Sequence, residues 1–369
     1  MSAKETATPT QPREMALRSS PPPKHWGYLP SRGVNRTGIL AAAALLMFFA
    51  SVLLGSYTVT IPDFFTIVIN HLTGGIKIPG ASFIVMENKL PRAVIGTLIG
   101  IAFGLAGALF QTMLRNPLAS PDVIGISSGA SAAAVVAIVV FGVSGAAVSG
   151  AALAGALAVA ALIYAISRGA RRIGRGTGAG NRLVLAGVGI AAALQAVVSF
   201  LMTRADIRTA AEALIWINGS LNSASWDRAG LLAVMLLVLV PVAALLAGPL
   251  RILELGDDAA AGLGIRVGAV RLGVVLTAVA LAAVATAAAG PVAFVAFLAG
   301  PIARRVTGRS SLPASALVGA LIVLAADYFA ANIAPLLLDG TVLPVGVVTG
   351  ALGAPFLLWL LVTSNRKDA

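Results

Sequence analysis

The chain has no cysteine. Disulfides, thiolate metal sites and cysteine nucleophiles are therefore excluded. Histidine is nearly absent as well. His25 and His71 lie far apart and outside the apolar runs, so no histidine-based metal site is expected. Charge is scarce: 11% of the 369 residues are Asp, Glu, Lys or Arg, against about 25% in an ordinary soluble domain. No Gly-x-x-x-x-Gly-Lys-Ser/Thr sequence occurs, so the chain carries no such phosphate-cradling loop of its own. The apolar runs hold no nucleophile–base pair and no paired acids. That leaves no catalytic set and argues against an intramembrane enzyme.

What the chain has in abundance is apolar sequence. Hydrophobic residues make up 58% and the mean hydropathy is +0.95. Apolar runs near 20 residues recur, each long enough to cross a bilayer core of about 30 Å. The expected fold is all-α, a polytopic membrane protein with ten transmembrane helices. The spans read as 39–57, 93–114, 123–143, 146–166, 183–202, 229–250, 270–289, 292–303, 314–334 and 343–362. The eighth is short and bounded by Gly290-Pro291 and Gly300-Pro301, which predicts a tilted, broken or partly buried helix. Residues 1–38 are polar and Pro-rich and read as a disordered cytoplasmic tail. The membrane domain is expected over 39–363, with a short cytoplasmic tail at 364–369.

An even number of spans puts both termini on one side. Lys and Arg then divide as 20 on the side of the termini and six on the other. Positive charge collects on the cytoplasmic side, so both termini are expected in the cytoplasm. The same distribution turns the net charge of +12 into a topology signal. No nucleic-acid partner is expected, and lipid is the solvent.

Small residues recur at helical spacing. Gly96, Gly100 and Gly104 share one face, Gly125 and Gly129 another, and Gly346, Gly350 and Ala354 a third. Such stripes let helix backbones approach closely. Gln111, Gln195, Asp327 and Asn332 are the main polar groups inside the spans. An intramembrane acid is a functional candidate. With no Lys, Arg or His partner within the spans, Asp327 reads better as a structural or vestibule acid than as a coupling site. The alternative is a secondary transporter coupled through Asp327.

Two polar stretches stand out on the cytoplasmic side. One is the double-proline break 115–130, between two glycine-striped spans. The other, 251–266, has its own helical pattern. Asp257 is placed to cap a helix, Asp258 suits its first turn and Gly264 its end. Leu255, Ala259, Gly262 and Leu263 fall on one face. Pattern alone leaves open whether the chain's own helices or a cytoplasmic partner covers that face.

These residues resemble the FecCD-type permeases of ABC importers for ferric siderophores, haem and cobalamin. The resemblance runs through Leu90-Pro91-Arg92, then Gln111 to Pro121 with Arg115-Asn116-Pro117-Leu118-Ala119, and Gly125 with Ser128-Gly129-Ala130. It continues through Trp216, Gly219-Ser220-Leu221 and Trp226, then Leu255-Gly256-Asp257-Asp258 and Leu263-Gly264. It ends with Ala289-Gly290-Pro291-Val292-Ala293-Phe294-Val295 and Leu343-Pro344-Val345-Gly346-Val347-Val348-Thr349. Ser120-Pro121-Asp122-Val123 and the Gly-Asp-Asp form are similar to the ferric enterobactin permease subunits.

The resemblance implies a type II ABC importer permease that moves an iron–siderophore complex. It implies an ATPase-coupling element of Leu255, Gly256, Asp257, Asp258, Ala259, Gly262, Leu263 and Gly264. A gate region of Arg115, Asn116, Pro117, Leu118 and Pro121 follows, with Lys89 and Arg92 docking a binding protein. Implied partners are a cytoplasmic ABC ATPase dimer, an extracytoplasmic siderophore-binding protein and a second, identical or homologous permease subunit. ATP and Mg would be bound by the ATPase, and this chain would hold no cofactor and no metal. Two features depart from the family. A histidine usual before Ile302-Ala303-Arg304-Arg305 is replaced in Gly300-Pro301, and 336–342 carries no cation.

Overall fold

The computed structural model describes residues 35–75, 78, 80–171 and 179–365. The tail expected at 1–38 lies almost wholly outside the described residues, as do 366–369. The described secondary structure is helical throughout. In chain order the helices are α1 (Arg36–Leu53), α2 (Ile61–Thr73), α3 (Ala81–Leu114), α4 (Ile126–Val139), α5 (Ala146–Arg171), α6 (Ala179–Arg204) and α7 (Ile207–Ile217). They continue as α8 (Trp226–Leu253), α9 (Asp257–Gly262), α10 (Val267–Ala289), α11 (Val295–Thr307), α12 (Leu312–Leu337) and α13 (Val345–Asn365).

Among the described residues, seven helices are long and apolar enough to cross a membrane. Ile126–Val139 and Val345–Trp359 are shorter apolar stretches. α11 has 13 residues, about 20 Å of helix at 1.5 Å per residue. Ten helices thus fall on the ten expected spans; α4 and α11, of 14 and 13 residues, are short of a full crossing. α2 and α7 were not expected. Both are short and amphipathic, and each starts at an oxygen cap, the Thr60 hydroxyl for α2 and the Asp206 carboxylate for α7.

α3 is the axis of the fold. Ile95, Ile99, Phe103, Leu109 and Phe110 are fully buried along it, and α12, α10, α11 and α8 pack around it. Glycine sets the closest of these approaches. A Cβ on Gly100 would lie 2.6 Å from the Gly319 carbonyl oxygen of α12. Gly104 meets the Ser315 carbonyl and Gly96 the Leu221 and Leu324 side chains. Gly129 of α4 lies against the Gly155 carbonyl of α5, and Gly125 takes a left-handed turn against Gly187. All five expected glycines therefore stand at close contacts. On α13, Gly346 is tightly packed but Gly350 faces open space.

Two stretches depart from regular α-helix. Ile84–Lys89 in α3 and Phe329–Ile333 in α12 are π-helical. The Trp226 indole N–H donates to the Met86 carbonyl of the first at 2.7 Å. Trp226 thus ties α8 to α3.

Candidate functional site

The N-terminal part of α3 carries Lys89 and Arg92. Both are engaged by the chain itself. Arg92 donates two hydrogen bonds to Asp327 of α12, at 2.8 Å each, and a third to Asn222 at 2.9 Å. The fork geometry suits a carboxylate, and the two side chains are 18% and 9% exposed. Asp327 therefore has the cationic partner that the sequence reading denied it. Arg92 stands just outside the apolar run of α3, 235 positions away in sequence, so no local pattern pairs them. Lys89 Nζ reaches the Leu54 and Tyr57 carbonyls just past the end of α1, satisfying acceptors that the helix leaves open. Lys89, Arg92, Asn222 and Asp327 line a cavity of about 300 Å³. Asn88 and Lys89 come to it from one π segment, Ala331 and Asn332 from the other.

The helix break at Gly290-Pro291 lies inside the molecule. Gly219 and Gly290 both take positive φ, and each would clash through a Cβ with the other's segment. Ser220 N–H donates to the Ala289 carbonyl at 2.7 Å, and Gly346 N–H to the Gly219 carbonyl at 3.2 Å. Irregular backbone at such a place needs internal partners, and these bonds provide them. Gln111 of α3 provides more. Pro301 lacks the N–H that would bond the Phe297 carbonyl four residues back. Gln111 Nε2 donates to that carbonyl at 3.0 Å and to Ala296 at 3.4 Å. Gly300 leaves room for the amide.

A second cavity, of about 450 Å³, opens beside this break. Ile217, Pro291, Phe294 and Leu357 give it apolar walls. Ser120, Asp122, Ser127 and Asn218 give it polar ones. Of the residues expected to form the gate, Leu118 lines it directly. Asn116 accepts from the Leu118 N–H at 2.9 Å, and Ser120 caps the 3₁₀ turn Pro121–Ile124. The surrounding protein pushes the Asp122 carboxyl above its usual range, while hydrogen bonds from Ser127 and Ser120 oppose that shift.

At the C-terminal end of α3, Arg115 closes the helix in a left-handed conformation, φ 49°. That costs a non-glycine residue roughly 1–2 kcal/mol. Its N–H bonds the Thr112 carbonyl, and its guanidinium donates to the Leu253 carbonyl at the end of α8. The same guanidinium stands 4.0 Å from Asp257. Asp257 opens α9, yet its carboxylate does not cap the helix, as the sequence suggested. Gly256 holds the cap position without a side-chain bond, and the Asp257 carboxylate turns to Arg271 at 2.8 Å. Ala260 is the buried face of α9. Leu255 and Leu263 are 70% and 64% exposed, and Ala259 and Gly262 are exposed with them. The chain's own helices leave that face open.

The profile of the FecCD transport family matches residues 43–363. The chain belongs to the FecCD transport family. Among FecCD relatives, the ferric enterobactin transport system permease protein FepG of Escherichia coli is 41% identical over 288 residues, 78% of this chain and 84% of its own. The Fe(3+)-citrate import system permease protein YfmE of Bacillus subtilis is 36% identical over 291 residues, again 78% and 84%. The helical arrangement is that of a solved metal-chelate type ABC transporter in an inward-facing conformation. The TM-score is 0.75 at 24% identity, over 89% of this chain and 98% of that one.

Proposed function

We propose that the chain is the transmembrane permease subunit of an ATP-driven importer for an iron–siderophore complex. The family match over 43–363 carries this reading, together with relatives that are named as ferric-chelate permeases. A binding protein hands the chelate to the outer mouth, with Lys89 and Arg92 as the docking cations. Docking there competes with the contacts both side chains already make. The chelate passes the polar-walled cavity at the helix break. Hydrolysis belongs to a separate ATPase dimer, which holds ATP and Mg and seats on the open face of α9. The second permease subunit is a copy or a homologue of this chain. Both termini lie in the cytoplasm.

The Asp327-coupled secondary transporter is the weaker reading, because Arg92 occupies both carboxylate oxygens of Asp327. Vesicle uptake of ferric enterobactin separates the two. With binding protein, ATPase and partner permease present, uptake should require ATP and stop when the ATPase is omitted. Uptake that persists without the ATPase and follows an imposed proton gradient overturns the importer reading.

A further inference from the structure

The open face of α9 is where the proposed ATPase would push, and the gate loop is where the push must arrive. Between them lies one side chain. Arg115 is the last turn of α3 and the first residue of the gate loop. Its guanidinium bonds the Leu253 carbonyl and faces Asp257, 138 and 142 positions away in sequence. Those two groups bracket the short link between α8 and α9. The link contains Gly256 at φ 118°, a conformation that L side chains rarely adopt and that lets the chain pivot. Arg271 of α10 bonds the same carboxylate oxygen of Asp257, Oδ1, at 2.8 Å. One carboxylate thus ties the start of α9 both to the helix that follows it and to the gate.

We propose that Arg115 is the positioning residue that transmits movement of α9 to the gate loop, with Asp257 as its partner. This deepens the importer reading and rests on it. The planar guanidinium fork presents one nitrogen, Nη2, to both groups: it donates to the Leu253 carbonyl and stands 4.0 Å from Asp257 Oδ1. When α9 shifts, the Leu253–Asp257 link shifts with it. Arg115 then draws on the end of α3 and on the Asn116–Leu118 turn that its backbone begins. The left-handed backbone at Arg115 gives the loop a second, more relaxed conformation to move into. The exposed ion pair adds little to stability, so the contact serves register more than folding.

The test uses the whole importer in vesicles, with its ATPase, binding protein and partner permease, and ferric enterobactin as probe. The quantity read is chelate taken up per ATP hydrolysed. Arg115→Ala and Asp257→Asn should each lower that ratio by at least about fivefold, the low end of measured site-to-site coupling. The double variant should lose less than the sum of the two single losses, because the Arg115–Asp257 contact is common to both. Arg115→Lys keeps the charge without the fork and should lie between wild type and Arg115→Ala. It also serves as the readout if the alanine variant does not assemble. An unchanged ratio in Arg115→Ala, or in Arg115→Lys when it must stand in, overturns the proposal. So do effects of Arg115→Ala and Asp257→Asn that add. Failure of the wild type to show any ATP-dependent uptake removes the importer reading and the proposal together. Normal wild-type uptake with an unaffected Arg115→Ala removes the proposal alone.

Discussion

Gln111 answers a deficit created 190 positions later in the chain, by Pro301 in α11. The proline takes away a backbone donor, and the amide of α3 replaces it. Gln111→Met, close in volume and without donors, should leave the Phe297 carbonyl unpaired at a cost of about 1–3 kcal/mol. Thermal unfolding of the detergent-solubilised subunit reads this as a lower midpoint. Pro301→Ala restores the missing N–H, so in that background the same substitution should cost much less. Equal costs in both backgrounds would refute the replacement. Arg92 and Asp327 follow the same logic with charge. Asp327→Asn strands a largely buried guanidinium and should cost about 3–5 kcal/mol, whereas Arg92→Met with Asp327→Leu should recover most of the loss. A double variant as unstable as the single one would mean that the pair contributes more than charge balance. Neither partnership was legible in the sequence. Gln111 and Asp327 stood out as polar groups at depth, but what they bind is set by which helices meet.

At the scale of helices the sequence was more informative, because periodicity is local. The stripe Gly96, Gly100 and Gly104 marked the face that α12 occupies. The polar stretch 251–266 marked α9, although its cap residue was misjudged. α2 and α7 escaped notice because they are short, amphipathic and embedded in outer loops that read as connectors. The stripe on α13 shows the limit of pattern: Gly346 is packed and Gly350 is not. Gly100→Val should therefore force α3 and α12 apart and cost about 3 kcal/mol or more. Gly350→Ala should be neutral or stabilise by up to about 1 kcal/mol through helix propensity alone. Unfolding midpoints of the isolated subunit compare the two, and similar losses at both sites would contradict the contact geometry.

For the whole molecule, every functional assignment inherits the choice of which end faces the cytoplasm. The charge distribution, 20 cationic residues against six, predicts α9 inside and α2 outside. The absence of cysteine makes this directly measurable, since any single introduced thiol is the only one in the chain. Thr73, at the end of α2, and Ala261, in α9, are both exposed. With a membrane-impermeant maleimide, Thr73→Cys should react in cells whose outer membrane alone has been opened. Ala261→Cys should react only after the inner membrane is permeabilised, and bound ATPase should slow it further. The reverse pattern would place Arg115, Asp257 and the open face of α9 on the side without ATP. The ATPase seat, the gate coupling and the outer docking cations would then fall together, because all three depend on one orientation.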